Sequence, residues 1–235
     1  QSATATGRTP QERSRGVGGT AMAYVVDLES RSHLVEHVLP LRGKLKTGQL
    51  VELSLLKKPF DMGDFQALHE IFEEIIEEGV SYPQQGPVTA EAFRVYYTSH
   101  DVFVLREASS REILGAFYVK PNFPGRCSHI CNHGFMVPSR FRNRGIGTVM
   151  ARHSLFLSKL LGYKAVYYNL VFTDNKHAIH AYKKLGFQQT GFVPEAAKVT
   201  KDGKTHYQDA VQLYFDLDEV KSEEGQPQPQ PSNLL

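Results

Sequence analysis

The apolar positions of this chain change period along its length, and the changes mark the elements. Leu50-Val-Glu-Leu-Ser-Leu-Leu56 alternates and predicts a first strand. Phe65, Leu68, Ile71, Phe72, Ile75 and Ile76 then recur at helical spacing, with Asp61 and Asp64 placed to cap the start and Gly79 to close the end. A turn at Tyr82-Pro83 leads to a second helix over about 89–99. Residues 101–107 and 112–119 read as a hairpin joined at Ser109-Ser110, and a loop over 120–125 leads into a segment, 126–137, that ends in Phe135, Met136 and Val137. Ile146, Val149, Met150, Leu157, Leu160 and Leu161 lie near one face of a helix that runs to about Gly162. Residues 165–172 are mostly apolar, as in a central strand. Asn175 stands at an N-cap, Ile179, Tyr182 and Leu185 line one face of a short helix, and Gly186 ends it. Residues 187–192 and 207–215 are the last strands, with Asp202-Gly203 turning between them. The order is strand, two helices, three strands, helix, strand, helix, two strands, which predicts an α/β protein with a mixed sheet.

Outside that order the pattern fades. Residues 1–20 are rich in Ser, Thr, Gly and Arg and read as a disordered tail; Arg8, Arg13 and Arg15 would also suit a transit peptide, though a solvated tail explains them more simply. Residues 21–47 hold scattered apolar positions, Tyr24-Val-Val26 and Leu34-Val35 among them, and give no assignable element. From 218 on, Gln-Pro repeats predict a second disordered tail. The expected organisation is a single domain over 21–217 with its core at 50–216. A chain of 235 residues, 41% hydrophobic and 22% charged, is long enough for one such domain with a real core. The acidic run Glu70, Glu73, Glu74, Glu77 and Glu78 reads as a solvated helix face. A net charge of +2, with basic residues spread out, gives no ground for a nucleic-acid partner, and no apolar run reaches membrane-spanning length. Two cysteines, Cys127 and Cys131, do not make a disulfide framework, which favours an intracellular compartment, cytoplasmic or mitochondrial. The chain opens on Gln1, so a targeting segment ahead of it is left open.

The chemistry begins at Met136-Val-Pro-Ser-Arg-Phe-Arg-Asn-Arg-Gly-Ile-Gly147. A strand end, a basic glycine turn and a helix start make an anion site: glycines allow close backbone approach, free N–H groups point outward, and the helix dipole favours negative charge. Arg142 and Arg144 add positive charge, so the ligand should carry phosphate, most simply pyrophosphate. No Gly-Lys-Ser/Thr follows, which excludes a P-loop, and the spacing is not Gly-x-Gly-x-x-Gly, the dinucleotide fingerprint. Arg142-x-x-Gly145-x-Gly147 after a strand and before a helix resembles the acetyl-CoA loop of the GNAT superfamily of N-acetyltransferases. Asn175, Ala178, Tyr182, Gly186 and Phe187 resemble a second signature of that superfamily, in the proper order and at a suitable distance. The resemblance covers about 50–216. It implies a GNAT fold: a central mixed, mostly antiparallel twisted sheet flanked by helices, with acetyl-CoA in the splay of the central strands. It also implies a cofactor site at Met136, Val137, Arg142, Asn143, Arg144, Gly145, Ile146, Gly147 and Asn175.

Part of the chain is similar to a narrower group. Gly115-Ala-Phe-Tyr-Val-Lys-Pro-Asn122, Arg126-Cys-Ser-His with Cys131-Asn and Gly134-Phe135, Leu161-Gly-Tyr-Lys164, Asn169-Leu-Val-Phe172 and Gly191-Phe-Val-Pro194 resemble the fungal L-azetidine-2-carboxylate N-acetyltransferases, which acetylate the ring nitrogen of proline analogues. That resemblance runs over about 113–195. It implies that Asn132 binds a substrate carboxylate, that Asn169 lies at the reacting amine and acetyl group, and that Asn175 holds acetyl-CoA. Two features depart from the fungal pattern: the fuller glycine loop, and Tyr182 where those enzymes carry a tryptophan. Dimerisation would also match the fungal group; no feature of the sequence bears on it.

Acetyl transfer to an amine needs a neutral nucleophile, donors for the developing oxyanion and a proton for the leaving thiolate. Tyr182 is the candidate proton donor, with an aromatic core residue as the plain alternative. Asn132 and Asn169 must satisfy their amides, either on substrate or on backbone. The base is open: His133 is one candidate, although strand alternation puts it opposite Asn132, and a water chain is another. Cys127, His129, Cys131 and His133 alternate like zinc ligands, but neighbours about 7 Å apart on a straight strand cannot all reach one ion, so no metal is expected. Two buried thiols and two hydrogen-bonded imidazoles are expected instead. The acceptor alternatives are another amino acid, a polyamine or a protein amine. A non-catalytic acetyl-CoA sensor is the rival outside enzymology.

Overall fold

The computed structural model describes residues 30–201 and 203–220. The expected tail at 1–20, nearly all of the second tail, and Asp202 of the last turn lie outside the described residues. The strands are β1 (Leu41–Lys44), β2 (Leu50–Leu55), β3 (Asp101–Glu107), β4 (Ile113–Pro121), β5 (Ile130–Met136), β6 (Ala165–Phe172), β7 (Gln188–Lys201) and β8 (Lys204–Asp216). The helices are α1 (Met62–Glu77), α2 (Ala90–Tyr97), α3 (Ile146–Leu160) and α4 (Lys176–Lys184). The strands form one sheet in the order β1-β2-β3-β4-β5-β6-β8-β7. Neighbours are antiparallel except β5 and β6.

Both faces of the sheet are covered, so its central strands are apolar on both sides. All nine residues of β4 are buried. Val102, Val104, Ala116, Tyr118 and Met136 face α1 and α2, packing against Phe65, Leu68, Phe72, Phe93 and Tyr97. Phe103, Leu105, Phe117, Val119 and Cys131 face the other way, against α3 residues Val149, Met150 and Leu157. Side chains i and i+2 of a strand share a face. On β5 this puts Asn132, Gly134 and Met136 toward α1 and α2, and Cys131, His133 and Phe135 toward α3.

The expected helices and central strands are present. Asp61 caps α1 by accepting from the Asp64 amide, and Thr89 caps α2 in the same way. Three expectations change. The stretch 21–47, unassigned by pattern, contributes β1, a four-residue edge strand containing Gly43, too short to carry a period. The domain continues past 217, since a 3-10 turn at Leu217–Glu219 follows and Lys159 donates to the Val220 carbonyl. The last hairpin is far longer than 187–192 and 207–215: β7 and β8 run on as a two-stranded ribbon beyond an irregularity between Val193 and Ala197. Most of that ribbon's distal residues are exposed, so no apolar period announces it. It rests on the turn after α1, where Gln208 Nε2 donates to the Gly79 carbonyl at 2.9 Å.

Gly134 fits beneath two aromatic rings. A Cβ there would lie 2.2 Å from Tyr118 Cε1 and 2.7 Å from Tyr82 Oη. Tyr82 donates to the Phe135 carbonyl at 3.1 Å and the Tyr118 hydroxyl lies 3.3 Å from that of Tyr96, so neither ring can move freely. Gly134→Ala is expected to destabilise the fold by about 1–3 kcal/mol through overpacking, read as a lower urea midpoint at unchanged slope.

Candidate active site

β5 and β6 hold together at only two positions, Ile130 against Ala165 and Cys131 against Val166. Beyond them no ladder joins the strands, and β6 itself breaks register with β8 between Tyr168 and Val171. A wedge therefore opens toward the C-terminal ends of β5 and β6, joining one face of the sheet to the other. The turn after β5 and the start of α3 stand at its edge.

That helix start differs from the others. α1, α2 and α4 are capped by the side chains of Asp61, Thr89 and Asn175. α3 begins at Gly145, in the left-handed region at φ 81°, and has no side-chain cap. A Cβ at Gly145 or Gly147 would meet nothing within 4 Å. The first-turn amides thus face an uncrowded cradle at the positive end of a 15-residue helix, which fits a phosphate or pyrophosphate.

Arg142, expected as a phosphate cation, is engaged inside the protein. Its Nη1 donates to Glu78 at 2.8 Å and its Nε to the Val137 carbonyl at 3.1 Å. Arg144 lies over the Phe141 ring and donates to the Arg140 carbonyl. Glu74 accepts from the Ser139 amide at 2.8 Å, and hydrogen bonds from Ser139 hold its carboxyl below the ordinary range. The acidic run on α1 is therefore not simply solvated: Glu74 and Glu78 fasten the glycine turn. Periodicity missed this because their partners lie more than sixty residues away. Met136 is fully buried and Ile146 nearly so, so these two line the turn through backbone alone. Asn143 sits exposed at φ 62°. Asn175 caps α4 through the Ala178 amide, and its Nδ2 donates to Ser81 Oγ at 3.3 Å.

The two predicted substrate asparagines meet through a third. Asn122, in the loop just after β4, accepts from Asn132 Nδ2 at 3.0 Å and from Asn169 Nδ2 at 2.6 Å, and donates back to Asn169 Oδ1 at 3.1 Å. Asn122 was legible only as part of the fungal pattern, with no role attached; its loop position gave no period to read. Asn169 is exposed and Asn132 half-buried, so the cluster faces the open wedge.

Tyr182 lies on the opposite face. Its ring packs on Tyr168 at 4.8 Å, Phe187 at 5.4 Å and Phe135 at 6.2 Å, so it is part of the core as well as a candidate acid. Burial pushes its phenol above the ordinary range and keeps it protonated at neutral pH. Burial is the one cause of that shift, with no hydrogen bond to the hydroxyl contributing. His133 is locked away from both groups. Its Nδ1 lies 2.9 Å from the Tyr168 hydroxyl, its Nε2 2.8 Å from Ser158 Oγ, and burial pushes it down to about 3. It cannot serve as the base for an amine beside Asn132.

The four alternating Cys and His residues do not converge. Cys127 lies in a 3-10 turn and is exposed, contrary to the expectation of two buried thiols, and Cys131 is buried. His129 is exposed and bonded to the Arg126 carbonyl. No group of His, Cys, Asp and Glu among the described residues could hold a metal ion. No helix among them is long and apolar enough to cross a membrane.

Comparison with known proteins agrees with this geometry. The sequence model described as the acetyltransferase (GNAT) family matches residues 65–187, and the chain belongs to that family. The class to which this fold belongs is the GNAT-family acetyltransferase. N-acetyltransferase aca1 of Schizosaccharomyces pombe is 43% identical over 98 residues, 42% of this chain and 46% of that protein. Protein SPT10 of Saccharomyces cerevisiae is 31% identical over 86 residues, 37% of this chain and 13% of that one. The matched region spans less than half the length of either relative. Among solved structures, a GCN5-related N-acetyltransferase from Kribbella flavida superposes with a TM-score of 0.62 at 25% identity, covering 70% of this chain and 97% of its own. The fold of yncA from Salmonella typhimurium, solved with its cofactor acetyl-CoA, agrees at a TM-score of 0.59 and 16% identity, covering 76% and 99%.

Two substitutions test the two ends of the wedge. Gly147→Asp adds a carboxylate where there is room for it, so the chain should fold normally yet bind acetyl-CoA at least ~10-fold more weakly by calorimetry, because like charge meets phosphate at the helix start. Tyr182→Phe removes no hydrogen bond among the described residues. It should leave the melting temperature within a few degrees and lower kcat by about 10²-fold, the scale of a lost proton donor; an unchanged rate across pH would reduce Tyr182 to a core residue.

Proposed function

We propose that the chain transfers acetyl from acetyl-CoA to the amine of a small amino acid, foremost a proline-like cyclic imino acid such as azetidine-2-carboxylate or 4-hydroxyproline. The Asn122–Asn132–Asn169 cluster carries this reading. Each amide nitrogen has two hydrogens, and the bonds within the cluster use one from each, so the mouth of the wedge retains N–H donors suited to a carboxylate or to a developing oxyanion. Asn132 is assigned to the acceptor carboxylate and Asn169 to the reacting centre, with Asn122 fixing both.

When bound, acetyl-CoA supplies an activated thioester. The residues of the chain would position it: the α3 amides and the Asn143–Gly147 turn would hold the pyrophosphate end, and Val137, the parted strands and Asn175 would border the arm. Holding both reactants in line can supply much of the rate. Tyr182, on the other side of the wedge from the asparagines, is placed to protonate the departing sulfur. The turn at Gly79–Ser81 is tied to the β7–β8 ribbon through Gln208 and to the α4 cap through Asn175.

The reading is tested by thiol release from acetyl-CoA with azetidine-2-carboxylate, 4-hydroxyproline, primary amino acids, polyamines and a lysine peptide. Turnover confined to cyclic imino acids is the expected result. Turnover with a polyamine or peptide alone would discard the imino-acid assignment, and cofactor binding without any turnover would favour a sensor. Asn132→Ala should raise KM for a carboxylate-bearing acceptor about 10-fold or more while leaving the Kd for acetyl-CoA unchanged, since a lost hydrogen bond to a charged group is worth about 1.5–3 kcal/mol.

A further inference from the structure

Lys120 stands beside the asparagine cluster, and none of the roles above uses it. It is the penultimate residue of β4 and is only 9% exposed. In the antiparallel ladder it pairs with Asn132, so the two side chains share the α1 and α2 face of the sheet. Paired Cβ atoms lie about 5 Å apart. The Lys120 chain is held by two tyrosines. Its Nζ lies 4.1 Å from the ring centroids of both Tyr96 and Tyr118 and donates to the Tyr96 carbonyl at 3.0 Å.

No carboxylate pairs with this amine among the described residues. The rings against it are Tyr96 of α2 and Tyr118 of β4, with Tyr82 packed on the first and Tyr97 on the second; His100 precedes Asp101 of β3, whose ladder partner is Val119, the neighbour of Lys120. From β5 it meets the neutral Asn132. Burial pushes all four tyrosines above the ordinary phenol range, so they stay uncharged at neutral pH. Burial also pulls Lys120 down to about 7, with no charged neighbour contributing. About half of such amines are neutral at pH 7, against about three in ten thousand for an ordinary lysine. A buried cation without an anion is costly, and shedding the proton relieves that cost.

We infer that Lys120 is the proton acceptor of the transfer, taking the proton that the acceptor nitrogen releases at Asn132 and Asn169. The inference rests on the acetyl-transfer reading above. The nitrogen lone pair forms the N–C bond to the acetyl carbon, and the N–H proton passes to Nζ. The C–S bond breaks with its electron pair on sulfur, which takes a proton from Tyr182. Lys120 and Tyr182 then return to their starting states by exchange with solvent, and the net change is amine plus thioester to amide plus thiol. This assigns the base to the face that carries the acceptor, which His133 cannot reach.

The test uses the full chain and reads two quantities. Titration of ¹³Cε-lysine resonances by NMR should reveal one lysine with a midpoint near 7, missing from Lys120→Met. The pH profile of kcat/KM, taken with whichever acceptor turns over, should have an acidic limb near the same pH in the wild type. In Lys120→Met that limb should flatten and kcat should fall by about 10²-fold, with acetyl-CoA affinity within about twofold. Lys120→Arg keeps a cation in the tyrosine box but cannot give up its proton, so it should be equally slow, and it serves where Lys120→Met does not fold. A limb that persists in either variant, a variant that turns over at the wild-type rate, or the absence of any lysine titrating below about 9 overturns the inference and leaves the acetyltransferase reading intact. No turnover by the wild type with any acceptor overturns both.

Discussion

β5 and β6 share ladder positions only at Ile130–Ala165 and Cys131–Val166. Everything functional about this protein is arranged around what happens after that. A parallel pair that continued would bond its own N–H and C=O groups and seal the sheet. Parting instead leaves a passage through the sheet, with an anion cradle at one edge, an aromatic face carrying Tyr182 on one side and an amide cluster on the other. A sheet covered by helices on both faces is normally impermeable. In the proposed reading a cofactor lies on the α3 and α4 side while an acceptor approaches from the α1 and α2 side.

Such an opening has to be held. The β5 carbonyls of Gly134 and Phe135 accept from the hydroxyls of Tyr97 and Tyr82, so α2 and the segment before it support the strand along the stretch where β6 no longer does. The turn after β5 is fastened through Glu74 and Glu78 of α1. Exposed ion pairs contribute little by themselves, but here an arginine also bonds the Val137 carbonyl, and together these bonds fix a turn whose glycines leave it free to move. The cradle keeps bare amides for a ligand because the neighbouring side chains are engaged elsewhere.

The two faces treat their buried bases differently. His133 finds partners for both ring nitrogens in Tyr168 and Ser158 and is neutral as a structural group. Lys120 finds aromatic rings and one carbonyl, and no acid among the described residues. The first arrangement satisfies the base completely; the second leaves a lone pair whenever the proton is gone. Burial lowers both groups, but only one is placed beside the asparagines.

The central elements were legible in the sequence because period and punctuation act locally. The helical spacing from Phe65 to Ile76, the caps at Asp61 and Asn175, and the apolar strands β3, β4 and β6 needed no partner to be read. The glycine turn before α3 was equally plain, since glycine and a helix start are neighbours in the chain. β1 and the distal β7–β8 ribbon were not, because a four-residue edge strand and a mostly exposed ribbon carry no apolar period. What the sequence by itself determined is the family fold, the glycine turn before α3 and the alternation that puts His133 opposite Asn132. Only the tertiary structure decided that Arg142 answers Glu78, that Asn122 joins Asn132 to Asn169, and that Lys120 lies between two tyrosines without an acid. Each of these depends on groups brought together from separate elements, and the desolvation that sets their chemistry exists only once those elements pack.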